Sequence, residues 1–174
     1  VYTHYTTLLR QIDFMKIEYL NPFIFATRKV LKMMAYMDSK PRKPYLKEQG
    51  ETKGLGDISS VIGVSGECKG SIGITFTTKC ILQIAYQMFS EEYDGLTDEV
   101  IDMVGEIVNM VSGDARQELV KLGFHFSAGI PVTTYGEGHD LIHAVKDRVI
   151  VIPFETNHGD FVIETCFDSK KFLE

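Results

Sequence analysis

The chain predicts an α+β fold, a largely antiparallel sheet covered by helices. Three observations lead there. Apolar residues recur at spacings of three and four over two long stretches, near residues 17–37 and 98–122. Four β-rich runs come as two pairs, each joined by a few polar residues and a glycine. The 174 residues, 44% hydrophobic and 24% charged, suit one domain with a substantial core.

Residues 1–14, Val1 to Phe14, show no clear period and precede Met15, so they read as an N-terminal extension. A single domain follows over 15–168, with a short tail at 169–174. From Ile17 to about Met37 the pattern is helical, through Leu20, Phe23, Ile24, Val30, Leu31 and Met34. Asn21 followed by Pro22 reads as a cap and first helical position, so the main helix is expected to begin there. Asp38 to Gly56 holds two prolines, three glycines and many charges; it reads as a long loop with one edge strand near Tyr45 and Leu46. Ile58 to Ser65 and Lys69 to Thr77 form a hairpin around Gly66, Glu67 and Cys68. Thr78 to Ser90 is helical, with Ile81, Ile84, Ala85 and Met88 on one side. The second long helix opens at Thr97, Asp98 and Glu99, and Gly123 ends it. Strands are then expected at Gly129 to Tyr135, Asp140 to Val145, Arg148 to Glu155 and Asp160 to Phe167. The hairpin at Val61 to Phe76 resembles the one at Ile150 to Thr165, a weak internal duplication.

Composition narrows the function. A net charge of −6 argues against a nucleic-acid partner, which would select clustered Lys and Arg. The basic stretch Lys40 to Lys53 is mixed with Pro and Gly and reads as a solvated loop. Cys68, Cys80 and Cys166 are odd in number and lack metal-ligand spacing, so they read as buried free thiols. Apolar runs fall short of the roughly 20 residues of a membrane helix, and the expectation is a soluble, cytoplasmic protein. His125, His139, His143 and His158 lie near loops and strand ends and read as surface or turn residues. A serine in a nucleophile elbow and a phosphate-binding glycine loop are both missing, so conventional hydrolase chemistry has no carrier.

The long helix near 98–122 has two distinct faces. Ile101, Val104, Val108, Val111, Ala115 and Leu119 form its apolar stripe. Asp102, Glu106, Asn109 and Gly113, spaced four, three and four, share another face. Asn is a mediocre helix former, and a mid-helix Gly costs about 1 kcal/mol relative to Ala. Gly105 and Gly113 border this patch, with Ser112 nearby, and small residues beside a Glu and an Asn would admit another protein's surface. From spacing alone the face reads equally as solvated surface and as a docking site.

The run Asp102-Met-Val-Gly-Glu106-Ile-Val-Asn109 resembles the D/S-x3-E-x2-N motif of the CheC/CheX/FliY phosphatase family. Met110 to Arg116, Asn21-Pro22-Phe23, and Gly129-Ile130-Pro131-Val132 are also similar to that family's text. The first helix lacks a Glu at the required distance before an Asn, and one motif per chain is the CheX-type arrangement.

The resemblance implies a CheC-like fold, with two long helices exposed on one side of the sheet. It also implies hydrolysis of the phospho-aspartate of a CheY-type response regulator. In that reading Asn109 orients the attacking water and Glu106 pairs with a regulator lysine. Asp102, Gly105 and Gly113 would contact the partner. The chain needs no cofactor of its own there, since the regulator supplies a divalent metal such as Mg. The alternative is a non-catalytic regulator-binding module related to flagellar switch proteins. A homodimer is implied as well. The apolar run Arg148 to Phe154, with only Pro153 as a blocker, suggests sheets joined across an edge in the C-terminal half.

Overall fold

The computed structural model describes residues 17–168; the extension read at 1–14 and the tail at 169–174 lie outside them. Among the described residues there are three helices: α1 (Ile17–Ala35), α2 (Thr78–Phe89) and α3 (Asp98–Lys121). The strands are β1 (Lys40–Pro41), β2 (Tyr45–Leu46), β3 (Ile58–Gly66), β4 (Lys69–Phe76), β5 (Phe126–Ala128), β6 (Val132–Tyr135), β7 (Val149–Glu155) and β8 (Phe161–Phe167). They form one antiparallel sheet in the order β1-β7-β8-β4-β3-β5, with β2 also on β7 and β6 also on β3.

The two expected hairpins are the middle of this sheet. β3 and β4 pair from Ile58↔Phe76 to Ser65↔Lys69, and β7 and β8 from Val149↔Cys166 to Phe154↔Phe161. Their inner strands β4 and β8 run antiparallel, from Gly70↔Phe167 to Phe76↔Phe161. A local two-fold would leave two hairpins in this relation, in keeping with the weak repeat.

Strand alternation sorts the residues onto two faces. Ile72, Ile74 and Phe76 of β4 and Phe161, Ile163 and Phe167 of β8 join the main core with the helices. The intervening Ser71, Gly73, Thr75, Val162, Glu164 and Cys166 belong to the opposite face. On the core side α3 packs against β3, β4, β5, β6 and α1, while the ring of Phe23 in α1 lies 5.9 Å from that of Phe167.

Helix ends follow from local chemistry. Thr97 Oγ1 accepts the Val100 N–H at 3.4 Å, Asp98 and Glu99 sit at the positive end of α3, and Lys121 at the negative end. Gly123, at φ 89°, takes the left-handed turn that releases the chain. At α1 the expected start is corrected: the chain is already helical at Ile17, and Pro22 is inside the helix. Pro22 removes one backbone donor, but burial of Leu20, Phe23 and Ala26 on one side offsets that loss.

Irregular segments, rather than helices, cover the other face of the sheet. Leu141 lies over Gly73, where a Cβ would come within 2.8 Å of its Cδ1. Glu164, fully buried on β8, accepts from Lys47 Nζ at 2.9 and 3.1 Å and meets His143 Nε2 at 3.1 Å. His143 Nδ1 is 2.8 Å from Ser71 Oγ, which also accepts the Ala144 N–H at 3.0 Å. His139 is held between Ser59 Oγ at 2.6 Å and the Gly136 carbonyl at 2.9 Å. So His139 and His143 are anchoring groups of this layer, not simple surface histidines. For the same reason Asp140 to Val145 is not a strand. Its backbone is engaged elsewhere, with the Leu141 N–H on the Thr52 carbonyl and only an isolated bridge between Lys53 and Asp140.

Two further expectations change. Arg148 to Phe154 is not a free edge, because β7 pairs with β8 on one side and with β1 and β2 on the other. The strand expected at Gly129 to Tyr135 starts only at Val132, after Pro131, and a separate β5 precedes it. The outer strands from the C-terminal half are therefore β5 and β6, both paired with β3; Val132 and Tyr135 of β6 are exposed, as is Ile130 in the link between the two strands. Among the described residues all three cysteines are free and buried, as expected. No helix among them is long and apolar enough to cross a membrane.

Candidate active site

Helix α3 buries Val100, Met103, Val104, Ile107, Val108, Val111, Ala115 and Leu119. At 3.6 residues per turn, Asp102, Glu106 and Asn109 fall within an arc of about 60° on the far side. All three are exposed. Among the described residues neither the Glu106 nor the Asn109 side chain has a hydrogen-bond or ion-pair partner within the chain. A carboxylate and a neutral amide, one turn apart, are thus both open to an outside ligand.

The flanks of this face are fixed. Lys29 Nζ of α1 meets Asp114 Oδ2 at 2.8 Å on one side. On the other, Arg116 Nη1 donates to the Phe126 carbonyl at 3.2 Å, tying α3 to β5. Neither contact had a sequence signal, since the partners come from distant segments and their residue types are common on any helix surface.

The two glycines differ. A Cβ at Gly113 would meet nothing within 4 Å. At Gly105 it would meet Thr133 Oγ1 at 3.6 Å and Pro131 Cβ at 3.9 Å, ordinary contact distances. Packing within the chain therefore requires a glycine at neither position, although each costs helix stability. Ser112, read from spacing as a neighbour of the patch, is fully buried on the flank. Its hydroxyl has no partner among the described residues.

The described residues bring together no group of three or more His, Cys, Asp or Glu that could hold a metal. The chemistry on this face is therefore that of one amide and the carboxylates beside it.

A family profile described as chemotaxis phosphatase CheX matches residues 58–155, more than half of the chain and the whole of the Asp102 to Asn109 motif. The chain belongs to the CheX family. The chemotaxis protein CheX of Vibrio vulnificus is 41% identical in a structural match covering 87% of this chain and 99% of that one, with a TM-score of 0.79. The CheX of the CheX–CheY–BeF3–Mg complex from Borrelia burgdorferi is 26% identical over 86% of this chain and 97% of that one, with a TM-score of 0.71. The CheY-P phosphatase CheX of Thermotoga maritima is 29% identical over 80 residues, 45% of this chain. The match spans about half, 52%, of that relative's length. The CheC-like fold with a large antiparallel sheet is common to this chain and its CheX-family neighbours.

Proposed function

We propose that this chain is a cytoplasmic phosphatase that hydrolyses the phospho-aspartate of a CheY-type response regulator, with Asn109 and Glu106 as its working residues. The observation that carries the reading is the pair itself. Glu106 and Asn109 are exposed, unpartnered within the chain and one turn apart on a helix whose flanks are held by Lys29–Asp114 and Arg116–Phe126. Membership of the CheX family supports it, as does a relative seen in complex with CheY.

Phospho-aspartate is an acyl phosphate and is already reactive toward water. The remaining task is to hold a water in line with phosphorus while the bond to the aspartyl oxygen breaks, giving phosphate and a free carboxylate. The Asn109 amide can donate to and accept from that water and adds no charge beside the anionic phosphoryl group. Glu106 would repel phosphate and suits a lysine next to it, which sets the docking register. The divalent metal, Mg, would come from the regulator's own site. Asp102 and Gly113 lie on the same face and would meet the partner, with Gly105 at its border.

A homodimer accompanies this reading. β6 is the edge that supports it: its outer side has no strand partner among the described residues, and Val132 and Tyr135 on it, with Ile130 just before it, are exposed apolar groups. Light scattering that shows a monomer at all concentrations would remove the dimer.

The test of function is phosphate release from a panel of CheY-type regulators labelled with a small phosphodonor. Turnover of at least one, lost in Asn109→Ala, is the expected result. Binding without any release would favour the non-catalytic switch-type module instead.

A further inference from the structure

An exposed asparagine orients a water only when its own amide is held. In solvent that amide turns about two torsions, and in-line placement of a nucleophile needs the freedom removed. On a helix the side chains within reach are those three or four residues away. For Asn109 these positions are Gly105, Glu106, Ser112 and Gly113. The two glycines have no side chain to offer. Glu106 could accept an amide N–H, but that would take the donor from the water and the carboxylate from the docking lysine. Ser112 is left.

Ser112 also has a proton without a use inside the chain. It is 0% exposed, and its hydroxyl has no partner among the described residues. Buried hydroxyls normally find a partner because leaving one unbonded is costly, and Ser is a poorer helix former than Ala. Neither packing nor helix preference therefore asks for Ser here. Arg116, one turn further on, likewise has its Nε buried without a partner. That nitrogen can only donate, so a bond between the two would engage the Ser112 oxygen and leave its proton free.

Residues three apart on a helix have Cβ atoms about 5–6 Å apart. The Ser112 oxygen is one bond from its Cβ and Asn109 Oδ1 two bonds from its own. A hydrogen bond of about 2.8 Å therefore closes the gap by side-chain rotation alone. In the free chain Asn109 is exposed to water and has no need of it. Under a docked partner the amide loses that water, and its oxygen then needs a donor.

We infer that Ser112 is a positioning residue for Asn109. In the complex its hydroxyl donates to Asn109 Oδ1 and holds the amide with its N–H groups and second lone pair toward the attacking water. The inference rests on the function proposed above and adds the group that fixes Asn109. Ser112 touches neither phosphorus nor the regulator, so its loss should appear in kcat and not in KM.

The experiment is steady-state phosphate release from the regulator that wild type turns over best, together with thermal melting. Wild type is compared with Ser112→Ala, Ser112→Cys, Asn109→Ala and the double variant of Ser112→Ala with Asn109→Ala. Ser112→Ala should melt no lower than wild type, because it loses an unbonded hydroxyl and gains helix preference. Its kcat should nevertheless fall about tenfold, with KM within about twofold. Ser112→Cys, close in size but a weaker donor, should lie between. In the Asn109→Ala background, Ser112→Ala should change the rate less than about twofold, since the group it positions is gone. Unchanged kcat in Ser112→Ala, while Asn109→Ala is inactive, would overturn the role of Ser112 and leave the proposed function standing. So would a tenfold loss that persists in the Asn109→Ala background, or a Ser112→Ala protein that melts clearly lower, which would make the hydroxyl structural. Wild type that turns over no regulator, or a fully active Asn109→Ala, would overturn both.

Discussion

Asn109→Ala should make the protein slightly more stable and nearly inactive, and the opposite signs are the force of the test. Asn109 is exposed on the middle of α3. Its side chain has no partner within the described residues, so truncation breaks no hydrogen bond and opens no cavity. What remains is intrinsic helix preference, which favours Ala over Asn by about 0.5 kcal/mol. For a domain of this size that corresponds to a melting temperature about 1–2 °C higher. If the amide orients the attacking water, its loss should slow hydrolysis about a hundredfold, equivalent to about 2.7 kcal/mol of activation free energy. Circular dichroism melting and single-turnover phosphate release on the same preparation measure both. A variant that is at least as stable and hydrolyses within a few-fold of wild type would refute the role given to Asn109. A variant that is inactive because it is unfolded would refute the claim that its side chain carries no structural load.

Other expectations follow from particular contacts. Glu106→Lys should weaken binding of the phosphorylated regulator more than Glu106→Gln does, because it sets like charges together at the proposed lysine contact; equal, wild-type binding by both would place docking elsewhere. Lys47→Ala should lower unfolding stability by about 3–5 kcal/mol, since it strands the fully buried Glu164 carboxylate with only His143 beside it. A shift of the urea midpoint equivalent to less than about 1 kcal/mol would show that water reaches this layer. Burial pushes the Cys80 thiol up to about 12 and the Cys166 thiol up to about 11, so both stay protonated at pH 8. Iodoacetamide at that pH should label them only as fast as the protein unfolds, and rapid stoichiometric labelling of the native protein would contradict their burial.

Much of this protein was legible in its sequence because the signals are local. The apolar stripe of α3, its Thr97 cap and Gly123 stop all lie within one helix length, and alternation of small or polar with apolar residues marks β4 from Ser71 to Phe76. The Asp102, Glu106 and Asn109 face follows from the same 3.6-residue period, with no knowledge of what the helix packs on. Tertiary structure alone decided the rest. Lys47 reads like any loop lysine until it meets Glu164, 117 residues away. His143 and His139 look like turn residues until strand alternation brings Ser71 and Ser59 under them. The run Arg148 to Phe154 has the composition of an edge and of an interior strand alike. Only its pairing with Tyr45 and Leu46 tells which. The packing of α1 against α3 likewise rests on contacts between residues 105 and 85 positions apart that no local period encodes. Periodicity reports which face of an element is buried. What that face meets is decided by the closure of the whole chain.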